Sequence, residues 1–181
     1  LSVMGKDSVV LNNCINRKVV VENKIKNKIL QICYVSNISK EKGTFDLIKA
    51  VQNRVDVKLI IAGDFLSQKK EFLELVERSQ NVSYVGFAGE QVKQEIFESS
   101  DIFCLPSKLE EGSPISIIEA MSYGLPIIAS DKGCIKDMID GLGYLLPKDY
   151  SNDDIIDGIK FINVNYDKMS ANAIKKYQKN H

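Results

Sequence analysis

The 181-residue chain has no tryptophan, one histidine, four prolines and four cysteines. Its one histidine, His181, is the last residue, so the body of the chain offers no imidazole as general base or metal ligand. Cys14, Cys33, Cys104 and Cys134 are widely spaced and form no CxxC pair, which argues against a disulfide framework or a zinc site. Cys33 and Cys104 lie inside apolar runs and read as small buried hydrophobes. Charge of one sign is also missing: 24 Lys plus Arg balance 24 Asp plus Glu, so no net field favours nucleic acid or an acidic substrate. No apolar run approaches the roughly 20 residues that span a bilayer, and no signal-peptide pattern is visible.

What is present is ordinary globular material, 44% hydrophobic and 27% charged. A chain of this length fits one domain that buries about two-thirds of its unfolded surface. It begins at Leu1 rather than Met, and is expected to be a piece of a longer protein. From residue 29 onward, short apolar runs alternate with amphipathic segments. Strands are expected at 29–35, 57–62, 82–85, 102–105, 126–129 and 144–146. Helices are expected at 43–53, 68–79, 90–99, 114–123, 135–139 and 153–162. Strands apolar on both faces, separated by helices, indicate an α/β fold with a doubly wound parallel sheet, Rossmann-like, covered on both sides. Such folds bind ligands beyond the carboxyl ends of their strands, where Gly63, Gly86 and the segments 107–114 and 130–133 fall. Residues 9–11 and 19–21 suggest an additional edge hairpin.

The segment from Glu111 to Pro126 carries the chemistry. Two carboxylates, Glu111 and Glu119, flank a Gly112-Ser113-Pro114 turn and the start of a helix that runs through Ile115 and Ser116. Pro114 suits the first helical position, where its missing amide has no partner to lose. The backbone amides at the helix start can face an anion, a diphosphate or sugar hydroxyls. Glu119, over one turn in, is placed to accept two ribose hydroxyls, and Glu111 in the loop to meet a hexose. The same residues also permit a simpler reading: Ser116-x-x-Glu119 matches a capping box, and Glu111 a solvated loop acid. The residues alone leave both open.

Glu111-x7-Glu119, with Ala120-Met121, Gly124 and Pro126-Ile127-Ile128-Ala129-Ser130, resembles the EX7E region of the family 4 retaining glycosyltransferases. Val10-Leu11-Asn12-Asn13, Lys42-Gly43, Ile61-Ala62-Gly63, Val85-Gly86-Phe87 and the run Asp101 to Ser107 resemble further family segments, in order, over roughly residues 8–165. The resemblance implies one half of a GT-B fold, with residues 1–181 as the C-terminal nucleotide-sugar-binding domain and the N-terminal acceptor domain absent. It implies a donor that is a UDP- or GDP-linked hexose, and an acceptor hydroxyl on a glycan or a lipid-linked molecule. It implies no other cofactor and no metal. By the same resemblance, Lys42 neutralises the donor diphosphate and Glu111 orients the sugar beside the amides of Gly112, Ser113, Pro114, Ile115 and Ser116. Glu119 holds the ribose, Gly86 and Phe87 shape the base pocket, and Gly63 lets the chain pass close to the nucleotide. The family's arginine at the end of the first strand is replaced by Asn37, which donates a hydrogen bond without charge. A cytoplasmic bacterial enzyme of glycan biosynthesis is implied, with peripheral association at the inner face of the membrane open to the full-length protein. A GT-B sugar-nucleotide epimerase and a non-catalytic nucleotide-sugar-binding module are the alternatives.

Other signals are weaker. The run from Ser36 to Thr44 lacks the glycines of a phosphate loop before its lysine. Asp64, Asp101 and Asp131 read as solvated loop acids. The tail at 167–179 reads as a helix with a solvated basic face of Lys168, Lys175, Lys176 and Lys179, backed by Met169, Ile174 and Tyr177.

Overall fold

The structure, a computed structural model, describes residues 24–180. The expected hairpin at 9–11 and 19–21, together with Cys14 and His181, lies outside the described residues. Six strands form one parallel sheet: β1 (Leu30–Val35), β2 (Val57–Ala62), β3 (Val82–Tyr84), β4 (Ile102–Leu105), β5 (Ile127–Ser130) and β6 (Gly143–Leu146). The helices are α1 (Thr44–Val51), α2 (Lys69–Glu77), α3 (Glu90–Ser99), α4 (Ile115–Ser122), α5 (Ile135–Ile139) and α6 (Asn152–Asn180). Strand order is β3-β2-β1-β4-β5-β6. Every residue of β4 and β5 is buried, so both faces of the sheet centre are covered, as their unbroken apolar runs require. This is the expected doubly wound, Rossmann-like α/β fold.

The order reverses direction between β1 and β4. The chain leaving β1 turns toward one edge of the sheet and the chain leaving β4 toward the other, which opens a crevice between the two loops. Ser36 to Gly43 and Pro106 to Pro114 supply those loops, and they hold half of the candidate residues: Asn37, Lys42, Glu111, Gly112, Ser113 and Pro114.

Two local readings are corrected. Pro114, expected as the first helical residue, is instead the N-cap of α4 with an extended ψ of 112°, and the helix begins at Ile115. The segments 153–162 and 167–179 are two helical stretches, as expected, that meet at a non-helical Asn165 within α6, and Met169, Ala173, Ile174 and Tyr177 are buried. Together these stretches pack on α1, α4 and β6. Asp101 is fully buried rather than solvated. It accepts hydrogen bonds from the Asn27 amide (2.9 Å), Asn27 Nδ2 (3.0 Å) and the Gln31 amide (2.7 Å), tying the entry of β1 to that of β4. Asp64 and Asp131 are exposed, and Cys33 and Cys104 are buried free thiols, as read from the sequence.

Among the described residues no helix is long and apolar enough to cross a membrane, and no cluster of three His, Cys, Asp or Glu side chains could hold a metal ion.

Candidate active site

A cleft of about 520 Å³ opens where the β1 and β4 loops part. Ser36 and Asn37 line it from the end of β1, and Ala62, Gly63 and Asp64 from the end of β2. Phe87, Ala88 and Gly89 close it after β3, while Glu90 and Lys93 from α3 face Ile115, Ser116 and Glu119 from α4.

The floor is set by two close backbone contacts. Gly63 has φ +151°, and a Cβ there would lie 1.8 Å from the Ser36 carbonyl oxygen, so only glycine lets β2 end against the β1 loop. Its amide donates to the Gly86 carbonyl at 2.9 Å. The buried Tyr34 hydroxyl donates to the Asn37 carbonyl at 2.6 Å, which holds the turn presenting the exposed Asn37 side chain. Gly86 itself stays off the cleft lining, whereas Phe87, 78% exposed, stands on its rim.

Glu119 is the most enclosed polar group of the cleft, buried on α4. The capping-box reading fails here: Ser116 lies inside the helix, the N-cap is Pro114, and no side chain caps it. Glu119 Oε1 instead accepts from Lys93 Nζ at 2.6 Å. Its other oxygen has no protein partner among the described residues. Lys93 also pairs with Glu90, one turn earlier on α3, at 2.6 Å. Burial works against the charge of Lys93, yet its hydrogen bonds to Glu119 and Glu90 win and hold the ammonium above the usual lysine range.

Lys42 and Glu111 form a second pair beside the cleft, 2.7 Å apart, with side chains 16% and 11% exposed. Glu111 is therefore not the solvated acid that its loop position suggested. The surrounding loops are stitched together. The Lys108 amide donates to the Glu41 carbonyl at 2.7 Å, and the Lys42 amide to Ser39 Oγ at 3.2 Å. Gly133, after β5, backs the Glu111 segment so closely that a Cβ would sit 1.8 Å from the Glu111 carbonyl oxygen. Gly112 and Ser113 lie in this same loop, outside the cleft lining, and the Gly112 carbonyl accepts from Cys134 Sγ.

The candidate residues thus fall into two adjacent groups. Asn37, Gly63, Phe87, Ile115, Ser116 and Glu119 share the cleft; Lys42 and Glu111 neutralise each other next to it. Lys93 and Glu90 join the cleft without having been singled out from the sequence, and Asp64, read there as a solvated loop acid, lines it as well. Only the spacing of Glu90 and Lys93, neighbours on one helix face, hinted at a role for either.

Residues 16–181 match the family described as glycosyl transferases group 1. The chain belongs to that family. A lipopolysaccharide 1,2-N-acetylglucosaminetransferase of Salmonella typhimurium is 31% identical over 143 residues, 71% of this chain and 38% of that protein. A glycogen synthase of Caldicellulosiruptor saccharolyticus is 32% identical over 158 residues, 84% of this chain and 31% of that protein. The chain thus spans about a third of the length of these group 1 relatives. Among solved structures, the C-terminal domain of the group 1 glycosyl transferase LpcC from Francisella tularensis superposes with a TM-score of 0.72 at 21% identity, covering 90% of this chain and 97% of that one. Anabaena HepE in complex with UDP-glucose gives a TM-score of 0.72 at 22% identity, over 83% of this chain and 44% of that one. These likenesses establish for the group 1 chain the fold of such a domain.

Proposed function

We propose that this chain is the donor-binding domain of a retaining glycosyltransferase of family 4. It serves the transfer of a hexose from a UDP- or GDP-linked sugar to a hydroxyl of a glycan or lipid-linked acceptor. The observation that carries the proposal is Glu119: a buried carboxylate at the strand-order reversal, with one oxygen held by Lys93 and the other without a protein partner in the cleft. A ribose diol supplies the two donors such a carboxylate lacks. Family membership and the UDP-glucose held by the Anabaena protein support a nucleotide sugar as the ligand.

In this reading the base rests near Phe87 and Gly89, and the diphosphate meets the first amides of α4 at Ile115 and Ser116. The helix dipole there contributes only about 0.3–1 kcal/mol, so direct hydrogen bonds, about 1.5–3 kcal/mol each to a charged group, supply most of the affinity. The hexose lies toward Glu111. Lys42, already facing Glu111, stabilises the charge that develops on the leaving β-phosphate. Among the described residues no side chain is assigned as a nucleophile in this reading, which favours attack from the leaving-group face, assisted by the departing phosphate. The acceptor is bound by parts of the protein beyond this chain.

The test is to incubate the full-length protein with labelled nucleotide sugars and follow transfer, hydrolysis and epimerisation. Transfer with retention is expected; epimerisation alone would favour the epimerase alternative. In parallel, Glu119→Gln is expected to weaken UDP or GDP by at least about 10-fold in calorimetric titration. Equal affinity of wild type and variant would end the ribose assignment.

A further inference from the structure

We propose that Lys93 is a positioning residue of this cleft. It sets the orientation of the Glu119 carboxylate and cancels its charge, so that an anionic nucleotide can enter. The inference rests on the nucleotide-sugar reading above and assigns a determinant within it.

Charge along the cleft makes the case. Asp64, Glu90 and Glu119 contribute three carboxylates to its lining, and Lys93 is the one basic side chain among them. Without Lys93, every charged side chain lining the cleft would be acidic. The Lys93–Glu119 contact is enclosed, the two side chains being 19% and 9% exposed, so salt screens it far less than a surface pair.

Geometry points the same way. An ionised carboxylate offers about four acceptor positions. Lys93 occupies one of them on Oε1, which leaves the other oxygen to a vicinal diol. Glu90 pairs with the same ammonium from one turn back on α3, so the lysine is held at both sides before any ligand arrives. That arrangement reduces the ordering a ligand must impose. An i,i+3 pair such as Glu90–Lys93 alone would be surface decoration. The reach across to Glu119, 26 residues away and buried on another helix, is what distinguishes Lys93.

The experiment is a double-mutant cycle read by titration of UDP and GDP into the full-length protein: wild type, Lys93→Gln, Glu119→Gln, the double variant, and Lys93→Arg. Lys93→Gln is expected to weaken the preferred nucleotide by about 10-fold or more, because it leaves Glu119 charged and unpaired. Lys93→Arg should stay within about 3-fold of wild type, the charge being kept. In the Glu119→Gln background, adding Lys93→Gln should cost less than about 2-fold, since the charge it served is gone. The double variant also carries two neutral amides in place of the pair, so it reports even where the single Lys93→Gln protein folds poorly. An equal loss in both backgrounds, or no loss in Lys93→Gln, overturns the proposal while nucleotide binding itself stands. If the wild-type protein binds neither nucleotide, the functional reading falls and this inference with it.

Discussion

Replacing Gly133 by alanine should separate the geometry of the Glu111 loop from the stability of the fold. Gly133 has φ +58°, in the left-handed region, where a side chain costs about 1–2 kcal/mol. Strain is the smaller part of the effect. The added Cβ would lie 1.8 Å from the Glu111 carbonyl oxygen and 2.9 Å from its carbon, both backbone atoms that cannot rotate away. Restoring an ordinary separation moves one backbone by more than about 1 Å, a displacement that can cost roughly 100-fold in rate when it misplaces a reacting group. Gly141→Ala supplies the control. Gly141 also has a positive φ, +75°, yet the nearest atom to its added Cβ is the Asn172 side-chain nitrogen at 3.9 Å, so strain arises without displacement. Urea unfolding should show both variants destabilised by about 1–2 kcal/mol, with any excess in Gly133→Ala due to the clash. Sugar transfer by the full-length protein should fall roughly 100-fold in Gly133→Ala and stay near wild type in Gly141→Ala. Activity of Gly133→Ala within about twofold of wild type would refute the argument that this contact places Glu111 for the reaction.

Other outcomes test the core and its titration. Phe72 is fully buried and meets Phe65 and Tyr84 edge-on at 5.3 Å and Phe45 at 6.0 Å; Phe72→Ala should cost about 3–5 kcal/mol in urea unfolding. Val55→Ser, at a position 90% exposed, should stay within about 0.5 kcal/mol of wild type. Burial pushes the Cys33 thiol up to about 12, whereas an unfolded cysteine titrates near about 8.5. The folded chain therefore keeps a proton that the unfolded chain loses. The associated stability is complete below about pH 8.5 and falls by about 1.4 kcal/mol per pH unit above it. Cys33→Ala should make the alkaline loss of stability shallower by that amount, and parallel profiles between pH 8.5 and 10 would count against it.

The fold was legible because its signals are local. Runs such as Ile102 to Leu105 and Ile127 to Ala129 declare buried strands, and Gly63, Gly86 and Gly124 punctuate them. The kink at Asn165 was not legible, because a loop and a bent helix share the same polar interruption. The cleft was half legible. Glu119 and Asn37 could be placed from order along the chain, while the partners of the two acids could not. Lys42 reaches Glu111 across 69 residues and Lys93 reaches Glu119 across 26, and nothing in local spacing encodes an ion pair made by tertiary packing. Pro114 missed its position by one residue because a proline φ suits both the N-cap and the first helical turn.

The strand order has one more consequence. β1 pairs with β2 over six residues but with β4 over only two, the shortest ladder in the sheet. The chain can thus be viewed as two folding units, β1 to β3 and β4 to β6, each rich in near-neighbour contacts and joined along a narrow seam. Asp101 fastens the seam at one end, and Lys42–Glu111 with Lys108–Glu41 at the other. A nucleotide bound as proposed would touch both units at once, from Asn37 on one side to Glu119 on the other. Ligand at about 100 times its Kd would therefore add about 2.7 kcal/mol across the line where the two units meet, making it a ligand-dependent cross-link.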